Sequence, residues 1–208
     1  MIFRTLNRLS ILLLFLVPLS TPAHAETREV LLAAYSVPKE VYEKRLIPAF
    51  VQQWKQRTGE TIHIRSSFAA SGAQARAIAG GLDADIAALS LESDLQQLVQ
   101  AGLVTHDWKQ GPQHGIVTTS LVALGVRKGN PKAIHGWEDL ARSGVEVLYP
   151  SPKTSGGAMW DIIAIYGAGV QLGTRRGLSE AALHDSAGDL VARIQRNVKV
   201  MDKSGRES

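Results

Sequence analysis

Short apolar runs, each followed by a longer amphipathic stretch, recur along this sequence from Glu29 onward, and that alternation leaves few folds open. Glu29-Val30-Leu31-Leu32-Ala33-Ala34-Tyr35 has the length and composition of a buried strand. A helix is expected from Lys39, with Tyr42, Leu46, Phe50 and Trp54 spaced by four on one face and Pro48 kinking or breaking it. Thr61-Ile62-His63-Ile64 reads as a second strand. Ser71 opens a helix that runs to Ala79 and stops at Gly80-Gly81. Asp85-Ile86-Ala87-Ala88-Leu89 and a helix over 92–100 repeat the pattern. A β-rich run follows over 115–127, with Lys128-Gly129-Asn130-Pro131 as its turn. The rest of the chain is predicted to hold a short helix near 137–141, a strand at 145–149, helices from Gly156 to about Val170 and from Glu180 to Arg196, and a strand at 198–201. Strand–helix alternation of this kind predicts parallel sheets with helices packed on their faces, an α/β class. The run over 115–127 is the expected crossover between two lobes. A cleft then falls at the carboxyl ends of the strands, where open α/β sheets bind ligands.

The amino-terminal 25 residues carry a different signal. Arg4 and Arg8 precede the apolar run Ile11-Leu12-Leu13-Leu14-Phe15-Leu16-Val17, and Ala23-His24-Ala25 offers the small residues of a cleavage site. The run is shorter than the roughly 20 residues needed to span a bilayer, and Pro18 and Pro22 follow it. Residues 1–25 therefore read as a signal peptide cleaved near Ala25. This leaves 183 residues, divided into a first lobe at 26–115 and a second at 116–208. Removal takes two arginines and no acids, so 21 basic against 19 acidic side chains leave a charge of +2. That balance argues against nucleic acid or a polybasic membrane surface as a partner. With no cysteine in the chain, an exported domain must rely on its apolar core, and thiolate metal sites and cysteine nucleophiles are excluded.

Three segments share one design, in which small residues follow a strand and lead into a helix or a glycine turn. They are Phe68-Ala69-Ala70-Ser71-Gly72, the stretch from Tyr149 to Ala158, and Asp202-Lys203-Ser204-Gly205-Arg206. The first amides of a helix lack intrahelical partners and carry the positive end of its dipole, and small side chains let an anion reach them. Serine and glycine also cap helices with no ligand involved; three such turns in one α/β chain favour an oxyanion site. Other constellations are weaker. Asp83 and Asp85 are better read as a loop entering a strand than as an acid–base pair. The histidines lack metal-ligand spacing, so no metal or cofactor is expected. Ser155 has no GxSxG elbow, which leaves a Ser-dependent hydrolase as an outside alternative and no catalytic residue to nominate. The tryptophans read as packing residues, with Trp160 near enough to the Gly156 helix start to wall a cleft.

Ala70-Ser71-Gly72-Ala73-Gln74, Val126-Arg127-Lys128-Gly129-Asn130-Pro131-Lys132 and Pro150-Ser151-Pro152-Lys153-Thr154-Ser155-Gly156-Gly157-Ala158-Met159-Trp160 together resemble the periplasmic sulfate- and thiosulfate-binding proteins of ATP-driven importers. The resemblance implies a two-lobed periplasmic binding protein fold of type II-like form, closing on one dehydrated sulfate without chemical change. It implies donors from Ser71 in the first lobe, from Ser155, Gly156 and Gly157 in the second, and a backbone amide at Gly205. Ser36 is a further candidate, standing where relatives commonly carry an acidic residue after the first-strand tyrosine. The implied partners are sulfate or thiosulfate, a membrane permease and an ATPase, and the implied state is a periplasmic monomer. Relatives continue past Ser208, so the resemblance also implies an incomplete second lobe and an absent return segment, with a remnant or fragment that does not bind as the alternative.

Overall fold

The computed structural model describes residues 27–207; the signal-peptide expectation lies outside them. Strand β1 (Arg28–Tyr35) pairs in parallel with β2 (Ile62–Ala69) along its whole length, and with β3 (Ile86–Ala88) on its other side, giving the order β2-β1-β3. Asp85 fastens the entry to β3, its carboxylate accepting the Leu31 N–H at 2.7 Å while its own N–H reaches the Leu31 carbonyl at 3.0 Å. The aspartate pair thus has the structural role of a loop feeding a strand.

Helix α1 covers 39–58 as an α-helical start at Lys39–Val41, a π turn at Tyr42–Leu46 and an α-helical run at Ile47–Thr58. Pro48 has no N–H to give the preceding turn, and its ring would strike the carbonyl four residues back. The wider turn, closed by Ile47 N–H on the Tyr42 carbonyl, accommodates the ring without ending the helix. The extra residue also rotates everything beyond it. The expected stripe of Tyr42, Leu46, Phe50 and Trp54 is replaced by Tyr42, Ile47, Val51 and Trp54 as the less exposed set, while Leu46 and Phe50 face outward.

Helices α2 (Ser71–Ala79) and α3 (Glu92–Gln100) complete the first unit, and their boundaries match the sequence expectation. Ala33, Ile78 and Leu98 form its core. The second unit is built on a short parallel pair, β4 (Val147–Leu148) with β5 (Val198–Val200), under helices α4 (Gly156–Arg175) and α5 (Glu180–Arg196). Its core is separate: Val145, Val147, Tyr149, Ile165, Leu190 and Ile194. The two helices cross closely because glycine permits it; a Cβ on Gly169 would fall 2.6 Å from the Ala187 Cα. None of the described helices is long and apolar enough to cross a membrane.

The crossover segment departs from expectation. Residues 116–126 form no strand; Leu121 is 93% and Val117 79% exposed. Alternating β-branched residues favour a strand, but a strand exists only where a neighbour supplies its ladder bonds. No described strand runs beside this one.

Candidate functional site

The two units meet beyond the ends of β2, β4 and β5, where the three small-residue turns converge. Ala70 leaves β2 in an extended conformation, and Ser71 is the first residue of α2. Ser71 is buried; its hydroxyl donates to Asp94 Oδ2 at 2.6 Å and accepts the Ser90 N–H at 2.9 Å. Gly72 N–H, which as a first-turn amide has no partner in its own helix, crosses to the second unit and donates to the Thr154 carbonyl at 3.1 Å. A Cβ on Gly72 would sit 3.3 Å from that carbonyl oxygen, so a larger residue would crowd the approach.

On the other side, Ser155 caps α4. It is buried, its N–H donates to the Ser151 carbonyl at 2.8 Å, and its hydroxyl oxygen accepts the Ala158 N–H at 3.4 Å. That arrangement leaves the hydroxyl proton free to be donated. Gly156 opens α4 against the first unit: a Cβ there would lie 2.1 Å from Ser90 Oγ and 3.0 Å from Leu91 Cγ. One turn further on, Trp160 Nε1–H reaches the Ser90 carbonyl at 3.4 Å. The third turn is tied to the second by Ser151 N–H on the Asp202 carbonyl and Thr154 Oγ1 on the Lys203 carbonyl, both at 2.7 Å. It reaches the first unit as well, through an Arg206–Glu40 ion pair at 3.0 Å that holds the Glu40 carboxyl below its ordinary range.

The structure therefore brings Ser71, Ser155 and Gly156 to one junction. Gly205 stands close by: a Cβ there would be 3.8 Å from Val37 and 3.9 Å from Pro150. Ser36 precedes that valine and is buried at the end of β1, its carbonyl accepting Lys39 N–H at 3.2 Å. Gly157 is exposed and, with Gly205, Tyr149, Pro150 and Asp161, lines a cavity of about 540 Å³ that extends along residues 122–127; Ser71 does not line it. Sequence reasoning missed Asp94, Ser90 and the Thr154 carbonyl. Asp94 is visible only as an acid in the first turn of α3, a position that ordinary helix capping explains equally well.

Burial pushes the Asp161 carboxyl up from its ordinary value of 3.8. Because the folded state then binds the proton more tightly than the unfolded state, stability falls as pH rises from that value through the raised one. Asp161→Asn removes the dependence. The variant should exceed the wild type in urea midpoint at pH 7 and lose that advantage at about pH 3.5; an advantage equal at both pH values would count against the assignment.

The chain belongs to the bacterial extracellular solute-binding proteins, a family it matches over residues 30–208. Among its relatives, the sulfate-binding protein of Synechococcus elongatus is 42% identical over 181 residues, covering 86% of this chain and 49% of that protein. The sulfate-binding protein of Escherichia coli is 35% identical over 210 residues, covering 98% and 59%, and the thiosulfate-binding protein of the same organism is 37% identical over 187, covering 88% and 53%. The solved structure of the sulfate-binding protein SubI from Mycobacterium tuberculosis superposes with a TM-score of 0.74 at 38% identity, covering 86% of this chain and 59% of that one. The chain spans about half the length of the curated relatives it matches. The family is one of extracellular binding proteins rather than enzymes, and this chain's parallel-sheet α/β fold is the one shared with SubI over the matched part.

Proposed function

We propose that the chain is the substrate-binding component of a sulfate or thiosulfate importer, holding the oxyanion between a first lobe at 26–115 and a second at 116–208. It would be exported to the periplasm with its leader removed near Ala25, act as a monomer, and deliver the anion to a membrane permease coupled to an ATPase. The observation that carries this reading is the meeting of two helix starts, Ser71-Gly72 and Ser155-Gly156, at one junction bridged by the 3.1 Å bond from Gly72 to Thr154. Helix-start amides and the Ser155 hydroxyl are donors, and they suit a full dianion such as sulfate, which has no proton to place. Phosphate retains a proton near neutral pH and would leave it unpaired in a pocket of donors, which discriminates against it. The names of the relatives support the same anion class.

Calorimetric titration of the purified protein tests this. Saturable heat is expected with sulfate or thiosulfate, and a much weaker response with phosphate at the same concentration. Heats equal to dilution for both sulfur oxyanions would refute the proposal.

A further inference from the structure

The cavity of about 540 Å³ is bordered without a gap by residues 145–150, and likewise by residues 122–127. Side chains alternate between the two faces of an extended chain, so a space lying over one face would touch every second residue. A space touched by every residue of 145–150 runs along the edge of β4. That edge is unused. The Val147 N–H goes to the Asn197 carbonyl at 2.9 Å on the β5 side, and β5 is the one ladder partner of β4 among the described residues. Backbone groups of successive residues point to opposite edges of a strand, which turns the Glu146 N–H away from β5. It has no backbone partner among the described residues. Nor do the N–H groups of residues 117–127, although the valine, leucine and threonine there favour a strand. Four members of the second unit's core, Val145, Val147, Tyr149 and Ile165, border the same space. Gly157, Asp161 and Ile165, spaced by four, border it from one stripe of α4.

We propose that this space receives one extended polypeptide segment, which pairs with the free edge of β4 and with residues 122–127 and draws both into one sheet with β5. Free strand edges capture extended chains in this way. A segment matching 145–150 in length spans roughly 20 Å as a strand. Between two neighbours and against the core it is covered on both faces, so its side chains are apolar along nearly all of its length. The occupant comes from the part of the family that this chain does not match, since the chain spans about half the length of its curated relatives. Binding gives residues 116–126 the ladder partner they lack and covers apolar side chains on the open side of the second core. The proposal is independent of which anion the chain holds.

The test adds short overlapping synthetic peptides to the purified chain and follows amide hydrogen exchange. The peptides cover the part of the Synechococcus elongatus sulfate-binding protein that lies outside the match. At least one should slow exchange at residues 117–127 and at Glu146 together, by about tenfold or more. Glu146→Pro removes the donor that faces the space and should abolish the slowing. Glu146 is exposed and its N–H makes no backbone bond, so the melting temperature should stay near that of the wild type. If the variant melts well below it, the wild-type pattern decides alone. A panel in which no peptide slows exchange at both segments would overturn the proposal. So would full slowing in a well-folded Glu146→Pro. A wild type that is already dimeric, with both segments protected before any peptide is added, would assign the space to a second copy instead.

Discussion

If the chain holds an oxyanion as proposed, Gly156→Ala should weaken sulfate binding by about a hundredfold, a larger effect than any other single methyl group at the junction, given typical overpacking costs. The added carbon would fall 2.1 Å from Ser90 Oγ and 3.0 Å from Leu91 Cγ. The Ser90 hydroxyl can turn about χ1, but the backbone that carries it is held. Both backbone groups of Ser90 are bonded, and Leu91 leads directly into α3 at Glu92. The strain is relieved by parting the lobes, which sacrifices the Gly72–Thr154 bond and the Trp160–Ser90 bond together. Sulfate titration of the variant measures the loss. A double variant, Gly156→Ala with Ser90→Ala, supplies the control: removing the oxygen relieves the closest contact, so the combined loss should be smaller than the product of the two single losses. Losses that simply multiply would mean that the two residues do not meet across the junction.

The elements that local patterning specifies were legible before the structure. Ser71 starting a helix that Gly80 ends, the helix over 180–196 and the Ser155 cap each depend on residues within a turn or two of one another. What escaped depends on distance along the chain. Asp94 reaches Ser71 across 23 residues, and only the β2-β1-β3 order brings the starts of α2 and α3 together. The Gly72–Thr154 bond spans 82 positions and leaves no trace in composition. The helix carrying Pro48 shows a subtler limit: proline was expected to disturb it, yet the form of the disturbance, a π turn that rotates the apolar stripe, follows from how the preceding carbonyls rearrange. Residues 116–126 mark the boundary of what propensity can say, because β-favouring residues specify a strand only if a partner edge is present.

The second large effect concerns stability and tests whether the two cores act separately. Ile194 is fully buried among Val145, Val147, Tyr149, Ile165 and Leu190, so Ile194→Ala should cost about 2–5 kcal/mol, the usual range for truncating a core isoleucine. Against a typical total of about 5–15 kcal/mol, that is a large share of what a domain has to lose. The cost should fall unevenly. The described residues join the units through a few polar contacts, chiefly Gly72–Thr154, Ser90–Trp160 and Glu40–Arg206, and each is weak beside a packed core. Hydrogen exchange on the variant should therefore show faster opening of amides in α4 and α5, with the β1–β2 ladder protected as in the wild type. Ile194 lies on the far side of the junction from that ladder, so equal acceleration in both would mean that the lobes unfold as one cooperative body and that the polar bridge carries more coupling than its bonds suggest.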